Sequence, residues 1–389
     1  MSQINRLSEG GRVDRGKPLQ FTFNGRTYTG YQGDTLASAL LANGEHLVGR
    51  SFKYHRPRGI YSAGAEEPNA LVQLEEGPFT EPNQRATQVE LYRGLRAASQ
   101  NCWPNVRFDI GVVNSWLSRI FPAGFYYKTF MWPPSLWMTY ERFIRRAAGL
   151  GKSPEHWDPD RYEQRHVHCD VLIAGGGPAG IAAALAAGRS GARVILVDEQ
   201  AEPGGQLLAD TARLDGEPAM AWVERAVEEL AAMDEVTILP RTTCTGYYDY
   251  NYFVALERVT DHMPPGSAEP LPRQRLWRIR AKQAVLATGA IERPLVFADN
   301  DRPGVMLAGA VRTYINRYAV LPGRDIVVLT NNDSAYQTAL DAHRHGARVE
   351  IVDVRREPGG ALVEQARQAG IPLHAGCAVT GVHYRKAIE

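Results

Sequence analysis

A glycine-rich turn separates a short apolar run from an alanine-rich segment in the middle of this chain, and it limits the possible folds more than any other motif. Gly175, Gly177 and Gly180 follow the G-x-G-x-x-G spacing, and a second apolar run, residues 194–197, ends at Asp198. The first glycine permits a tight strand-to-helix turn, the second lets the backbone approach a pyrophosphate, and the third lets helix and strand pack closely. This order of strand, glycines, helix, strand and acid predicts a Rossmann-like dinucleotide-binding domain.

The predicted helix would offer a ligand its free backbone N–H groups and the positive end of its dipole. Asp198 follows Gly180 by 18 residues, where an acid would bond the ribose hydroxyl groups of a dinucleotide. Such an acid would repel a 2′-phosphate, so the sequence favours NAD or FAD over NADP. The candidate cofactor-binding residues are Gly175, Gly177, Pro178, Ala179, Gly180, Asp198, Glu199, Gly205, Gln206, Cys244, Thr288 and Gly289.

A second copy of this unit follows at an offset of 155 residues. Asp198 then falls on Asp353, and the segment 202–205 falls on the identical segment 357–360. The three fingerprint glycines are replaced by Thr330, Asn332 and Ala335. Side chains at the first two positions crowd the turn and the phosphate path. We therefore expect one working nucleotide site and one structural copy.

The composition argues against several classes of function. The 389 residues suffice for two or three domains, and a net charge of +1 gives no support to a nucleic-acid or membrane role. The 4 cysteines form no C-x-x-C pair, which argues against a disulfide framework, a zinc site and a redox dithiol. We see no secretory leader and no uninterrupted apolar span. These features favour a cytoplasmic protein.

The N-terminal residues predict a β-grasp domain of the ferredoxin kind. Residues 19–31 alternate in polarity around an Asn-Gly pair, which is typical of a β-hairpin. A short helix follows, with Asp34 or Thr35 as its N-cap and Gly44 at its end. In plant-type 2Fe–2S domains the next loop carries cysteines spaced C-x4-C-x2-C. The corresponding residues here are Ser62, Glu67 and Ala70, so we expect no iron–sulfur cluster.

Two further segments leave alternatives open. The loop before the cluster positions is basic and is either solvated or a contact surface for a partner subunit; it contains Lys53, His55, Arg56 and Arg58. Residues 85–165 are rich in aromatic residues and proline and have no sustained period. They form either an interface arm or an internal connector packed on the chain's own domains.

The predicted fold is α/β. It has a ferredoxin-like β-grasp domain (1–84), the connector (85–165), a dinucleotide-binding domain (166–323) and an incomplete, degenerate second dinucleotide-type domain (324–389). In a complete protein of this plan the chain returns to finish its first dinucleotide domain. We therefore expect an N-terminal piece of a longer protein, or an open domain that another chain completes.

In this order of parts the chain resembles the α subunits of heterotetrameric sarcosine oxidases, over essentially its whole length. The loop GRSFKYHRPRG, residues 49–59, is the most specific part, whereas the glycine fingerprint is shared by many unrelated enzymes. Related α subunits of amine, proline and opine dehydrogenase complexes share the plan, and some of them retain cluster cysteines. The resemblance therefore rests on the loop and on the order of domains.

The resemblance implies a heteromeric enzyme that demethylates sarcosine oxidatively. A β-type flavoprotein subunit would hold FAD and the amine-oxidising site, FMN would lie at the α/β interface, and smaller subunits would complete the oligomer. The α subunit would carry NAD. The GGQ and Ala-Thr-Gly patterns are also typical of FAD domains, so FAD is the alternative. A folate-binding domain, which takes up the one-carbon product in that family, is not expected before residue 389.

The α subunit of an amine, proline or opine dehydrogenase complex is an alternative within the same plan, and two other functions compete with this interpretation. One is a stand-alone FAD- or NAD-dependent flavoprotein reductase, against which the absent dithiol and the damaged second fingerprint count. The other is a scaffold with a vestigial nucleotide site, against which the complete first fingerprint counts. The sequence identifies no catalytic residue and no metal cluster among its 10 histidines. The functional signal is therefore cofactor binding.

Overall fold

The computed structural model describes residues 3–119, 124, 132–147, 149, 151–267 and 270–383. The chain forms two compact units. The first contains Met1–Asp158 and Arg293–Glu389, and the second contains Pro159–Glu292. The predicted connector, residues 85–165, lies partly outside the described residues. Within the described ranges, every helix is too short or too polar to cross a membrane.

The first unit begins with a mixed sheet. Its strands and those of an adjoining ribbon are β1 (Asp14–Phe23), β2 (Arg26–Gln32), β3 (Gly49–Arg50), β4 (Pro57–Arg58), β5 (Leu71–Leu74), β6 (Glu81–Arg85) and β7 (Arg96–Ser99). The sheet runs in the order β2-β1-β7-β5-β6, while β3 pairs with β4. In the predicted hairpin turn Asn24 and Gly25 have φ of 51° and 74°, as a type I′ turn requires.

The β-grasp domain extends beyond residue 84, where the sequence placed its end. The strand β7 lies between β1 and β5, parallel to the first and antiparallel to the second. The domain therefore needs residues 96–99 to close its sheet. This strand has only four residues, too few to give a clear polarity period.

The helices of this part are α1 (Leu36–Ala42), α2 (Val113–Trp116) and α3 (Trp137–Ala147), with 3-10 turns at Gly77–Phe79, Ile110–Val112 and Pro134–Leu136. Of the two predicted N-cap residues of α1, Thr35 is the cap and forms a capping box with Ser38. Asp34 instead forms a buried ion pair with Arg6 at 2.6 Å. Gly44, with φ of 80°, ends the helix as predicted.

The second unit is a mixed sheet with two helices packed against one face. Its strands are β8 (Tyr162–Ala174), β9 (Val194–Val197), β10 (Arg213–Leu214), β11 (Glu217–Pro218), β12 (Val236–Leu239), β13 (Thr242–Tyr248), β14 (Tyr252–Arg258) and β15 (Gln274–Leu286). Its helices are α4 (Pro178–Arg189) and α5 (Ala219–Ala231), with a 3-10 turn at Gly205–Ala209. The sheet runs β12-β9-β8-β15-β14-β13. The neighbours from β12 to β15 are parallel, and β13 to β15 form an antiparallel meander.

The chain leaves this unit at Glu292, whereas the sequence placed the end of the dinucleotide domain at residue 323. The reason is packing. Leu307, Tyr314 and Val320 belong to the same buried core as the β-grasp strands of the first unit. These residues lie in and around a short apolar helix, Ala308–Asn316. Its sequence alone does not indicate which hydrophobic core it joins.

The second copy is a small parallel sheet in the first unit. Its elements are α6 (Ala308–Asn316), β16 (Asp325–Thr330), α7 (Ser334–Arg344), β17 (Arg348–Asp353), α8 (Ala361–Gln368) and β18 (Leu373–Ala375). The sheet runs β16-β17-β18, and its pairs are parallel. The internal repeat read from the sequence is therefore a repeat of the βαβ unit.

Candidate functional site

The glycine turn lies at the carboxyl end of the parallel strands in the second unit. The N–H of Gly175 donates to the carbonyl of Val197 at 2.8 Å, and the N–H of Ala287 donates to the carbonyl of Ala174 at 2.8 Å. The turn is thus held between the ends of β9 and β15. In open α/β sheets this edge is where ligands bind.

Two of the fingerprint glycines are required by packing alone. A Cβ on Gly175, which has φ of 109°, would lie 2.3 Å from the carbonyl oxygen of Ala287. A Cβ on Gly180 would lie 1.8 Å from the carbonyl oxygen of Gly175. Because both contacts are with backbone, neither position accepts a side chain, whatever ligand binds.

Gly177 is different. Its φ of −74° suits any residue, and a Cβ there would meet only the Cα of Gly205, at 3.8 Å. The polypeptide itself therefore does not require glycine at this position. The open space beside Gly177 fits a ligand that approaches the backbone, as a pyrophosphate does in this kind of turn.

The first turn of α4 suits an anion. Gly177 is its N-cap and offers no side-chain acceptor, and Pro178 occupies the first helical position. Pro178 and Ala179 are exposed. The leading N–H groups of the helix are therefore without a side-chain cap, and together with the helix dipole they favour a phosphate.

Asp198, at the end of β9, anchors the glycine turn. Its side chain is only 7% exposed. One carboxylate oxygen accepts the N–H of Gly176 at 2.5 Å, and the other accepts the N–H of Gln200 at 2.7 Å. The next residue, Glu199, is half-buried, and its carbonyl accepts a bond from Arg258 at 2.7 Å. Two consecutive acidic residues therefore follow β9, and Asp198 holds the glycine turn in shape.

The second glycine pair closes over the first. The N–H of Gly204 donates to the carbonyl of Gly176 at 2.8 Å. A Cβ on Gly205 would lie 2.8 Å from the Cα of Gly177. Gln206 follows in the 3-10 turn and is exposed. The segment that carries the GGQ pattern therefore lies directly against the glycine turn.

The remaining predicted residues divide into two groups. Thr288 and Gly289 are exposed and follow Ala287, whose carbonyl contacts Gly175. Cys244 lies on β13 and packs against the core of the sheet, and burial raises the pKa of its thiol. The structure thus brings the Ala-Thr-Gly segment to the glycine turn and gives Cys244 a packing role.

The prediction missed backbone contributors to this turn. Gly176, Gly204 and Ala287 shape it through the hydrogen bonds and contacts described above. Arg258 braces the Glu199 carbonyl from β14. The GGQ and Ala-Thr-Gly patterns signalled the loops in which Gly204 and Ala287 lie, but no local pattern pointed to Arg258.

The second copy fills its own turn. The Oγ1 of Thr330 donates to the carbonyl of Asn332 at 2.8 Å, and the side-chain oxygen of Asn332 accepts the N–H of Ser334 at 3.0 Å. Asp353, the counterpart of Asp198, accepts bonds from Tyr336 at 2.8 Å and from Arg355 at 2.7 Å. Side chains therefore occupy the donors and the acid that a nucleotide would use.

The basic loop is largely neutralised inside the first unit. Arg56 pairs with Asp301 at 2.6 Å, and Arg58 pairs with the same carboxylate. The Nδ1 of His55 lies 2.7 Å from Asp109. These charges are thus used in the loop's own fold rather than left in solvent. In the part of the chain that the structure describes, no three His, Cys, Asp or Glu side chains lie together as metal ligands would.

Comparison with known proteins assigns this architecture to a class. Residues 16–102 match the 2Fe-2S iron-sulfur cluster binding domain family, and residues 170–245 match the FAD dependent oxidoreductase family. The fold resembles the crystal structure of L-proline dehydrogenase from P. horikoshii, with a TM-score of 0.60 and 21% identity over 100% of this chain and 58% of that one. The chain therefore combines a ferredoxin-like domain with a flavoprotein-type oxidoreductase domain.

Two curated relatives that match over most of this chain are both alpha subunits of sarcosine oxidases. The chain is 58% identical to the sarcosine oxidase subunit alpha of Rhizobium meliloti (strain 1021), over 91% of this chain and 36% of the relative. It is 43% identical to that of Corynebacterium sp. (strain P-1), over 98% of this chain and 35% of the relative. The chain is thus homologous to sarcosine oxidase α subunits and spans about a third of their length. This confirms the resemblance inferred from the residues.

Proposed function

We propose that this chain is the nucleotide-binding part of the α subunit of a heteromeric sarcosine oxidase. The relatives are named for that enzyme. In this proposal a β-type flavoprotein subunit oxidises the amine, FMN lies at the interface between the two subunits, and smaller subunits complete the oligomer. This chain contributes a bound dinucleotide and surfaces for assembly.

The exposed aromatic residues of the connector support an assembly role. The side chains of Trp103, Trp116 and Trp157 are 69%, 79% and 83% exposed. Large apolar side chains that recur in solvent along one segment suit a surface that a partner covers. This favours the interface arm over a connector packed on the chain's own domains.

The observation that carries the nucleotide assignment is the open space at Gly177. The bare N-terminus of α4 would donate its N–H groups to the pyrophosphate. Asp198 would keep the turn in shape through Gly176, and Glu199 would face the ribose hydroxyl groups. A bound nicotinamide or flavin ring would supply the redox chemistry, while these residues bind and orient the dinucleotide. Two acids at this edge would repel the 2′-phosphate of NADP.

Replacing Gly177 with Val tests this assignment. The side chain should enter the pyrophosphate path and weaken dinucleotide binding at least about 100-fold, on the order of 3 kcal/mol. The fold should remain intact, because a Cβ at this position meets nothing closer than 3.8 Å. Binding is measured by calorimetric titration of the purified chain with NAD and with FAD.

The matched control is Asn332→Val, the same substitution at the corresponding position of the second copy. It should leave dinucleotide binding unchanged, because that turn is filled by its own side chains. Full binding after the Gly177 substitution would exclude this turn as the site. A loss of binding in the Asn332 variant alone would move the site to the second copy.

A further inference from the structure

The loop that should carry an iron–sulfur cluster is folded around a carboxylate. One oxygen of Glu67 accepts the N–H groups of Tyr61 and Ser62 at 2.8 and 2.7 Å. The other accepts the N–H groups of Asn69 and Ala70 at 2.8 and 2.9 Å. Glu67 is 1% exposed. Backbone donors from both arms of the loop therefore converge on one buried side chain.

The loop is closed by further contacts. The hydroxyl of Tyr314, on α6, donates to the carbonyl of Ser62 at 2.8 Å. The hydroxyl of Thr87 donates to the carbonyl of Gly64 at 2.7 Å. Burial raises the pKa of Glu67 above its ordinary value, and the four backbone donors oppose that rise. The carboxylate thus lies in an enclosed site whose polar partners are four backbone amides and the hydroxyl of Ser62, which donates to it at 3.3 Å.

This arrangement does not fit a 2Fe–2S cluster, although residues 16–102 match that family. A cluster of this type is held by four thiolates. The three aligned positions are Ser62, Glu67 and Ala70, each no more than 1% exposed. The first cysteine of the chain is Cys102, so one thiol at most is available to the matched domain. The Glu67 carboxylate also uses the N–H groups that a cluster would need.

We propose that Glu67 replaces the iron–sulfur cluster as the anion that organises this loop. Concave sets of backbone N–H groups bind phosphates and the sulfur atoms of clusters in other proteins. Here the chain supplies the anion itself, so the domain keeps its shape without metal. The domain therefore takes no part in electron transfer and serves the fold and the assembly of the first unit. This inference does not depend on which dinucleotide the second unit binds.

The test is Glu67→Gln in the full chain, with Glu66→Gln as control. The amide matches the carboxylate in shape, but its NH2 group would face two N–H donors that then lose their acceptor. Glu66 is the exposed neighbour. We expect Glu67→Gln to lower the thermal unfolding midpoint of the first unit by about 5 °C or more. The amides of residues 61, 62, 69 and 70 should exchange hydrogen about tenfold faster.

Glu66→Gln should change neither quantity. If Glu67→Gln behaves like that control, the carboxylate does not organise the loop and the proposal is wrong. If the Glu67→Gln chain does not fold while the Glu66→Gln chain is stable, the result supports the proposal, because the loss of stability is then larger than the expected minimum. The second measurement is iron and acid-labile sulfide in the wild-type chain, prepared anaerobically and incubated with ferrous iron and sulfide. We expect less than about 0.1 iron per chain, and near-stoichiometric iron with sulfide would overturn the proposal.

Discussion

Gly177 and Gly180 are the same amino acid for different reasons. At Gly180 the backbone of Gly175 leaves no room for a Cβ, since the two atoms would lie 1.8 Å apart. At Gly177 the chain leaves that room open, and the nearest atom would be 3.8 Å away. Gly180 is therefore needed for folding, and we propose that Gly177 is needed for the ligand. The G-x-G-x-x-G pattern alone does not distinguish the two.

This distinction predicts opposite phenotypes for two alanine variants. Gly180→Ala should lower the free energy of unfolding by about 1–3 kcal/mol or more, because backbone must move to admit the methyl group. Gly177→Ala should cost at most about 1 kcal/mol, the loss of a favourable N-cap residue, while it weakens dinucleotide binding. Urea unfolding of both variants, followed by binding titration, measures the two effects. Equal losses of stability would contradict the division.

Asp198 shows what a sequence leaves open at this scale. Its position predicted a ribose contact, and in the folded chain its carboxylate accepts the amides of Gly176 and Gln200. Both roles need an acid at the end of β9, so the pattern is the same for each. The direction of the side chain depends on where the turn places its N–H groups. That placement is a property of the folded loop, and no single residue encodes it.

Among the elements, α4 and α7 are the same helix of the repeat with different N-termini. The helix α4 follows Gly177 and has no side-chain cap. The N-cap of α7, Asp333, also makes no side-chain cap bond, but the residue before it, Asn332, accepts bonds from both the N–H and the hydroxyl of Ser334. In the second copy a side chain thus binds an N–H group of the first helical turn, where we expect a ligand in the first copy. A helix whose end is satisfied internally no longer needs a phosphate.

This exchange predicts that Asn332→Ala destabilises the chain without touching nucleotide binding. Removing the side-chain acceptor should cost about 1 kcal/mol. Denaturant unfolding of the variant gives the cost, and a parallel titration with dinucleotide gives the affinity. Ser334→Ala, which removes the hydroxyl but keeps the N–H bond to Asn332, should cost less. A cost of zero for Asn332→Ala would mean that the amide does not stabilise α7.

Elements that carry a complete local signal were predicted from the sequence. The strand β9 has the predicted bounds, residues 194–197, because it is a short apolar run between turn residues. The strand β7 and the helix α3 were not predicted. The first has four residues, and the second lies in a segment without a sustained apolar period. Their existence depends on the surfaces that they pack against, which a single sequence does not specify.

In the molecule as a whole, we expect the second unit to bind the cofactor and the first unit to serve the fold and the assembly. The second unit presents the glycine turn at the edge of its parallel strands. The first unit contains a ferredoxin-like domain whose loop is organised by Glu67 and a repeat copy whose turn is closed by Asn332. In the first unit, the backbone N–H groups of the ferredoxin-like loop and of the repeat copy's turn thus donate to side chains of the chain itself. We therefore expect one cofactor in this chain, a dinucleotide in the second unit.

The glycine turn suits two dinucleotides. NAD and FAD share the pyrophosphate and the free ribose 2′-hydroxyl that this turn and its acids suit. The match of residues 170–245 to FAD dependent oxidoreductases favours FAD, whereas the homology to sarcosine oxidase α subunits led us to expect NAD, with the flavins held by or against the β subunit. We therefore expect the denatured chain to release about one NAD and no flavin.

Chromatography of the released ligand, with absorbance at flavin wavelengths, measures both species. The Gly177→Val chain, treated in the same way, is the control, since it should release neither. About one FAD per wild-type chain would contradict the assignment of NAD. The wild-type chain tests which ligand is bound, and the Gly177→Val chain tests whether it is bound at the glycine turn. If the wild-type chain released FAD and the Gly177→Val chain released none, the glycine turn would still be the site.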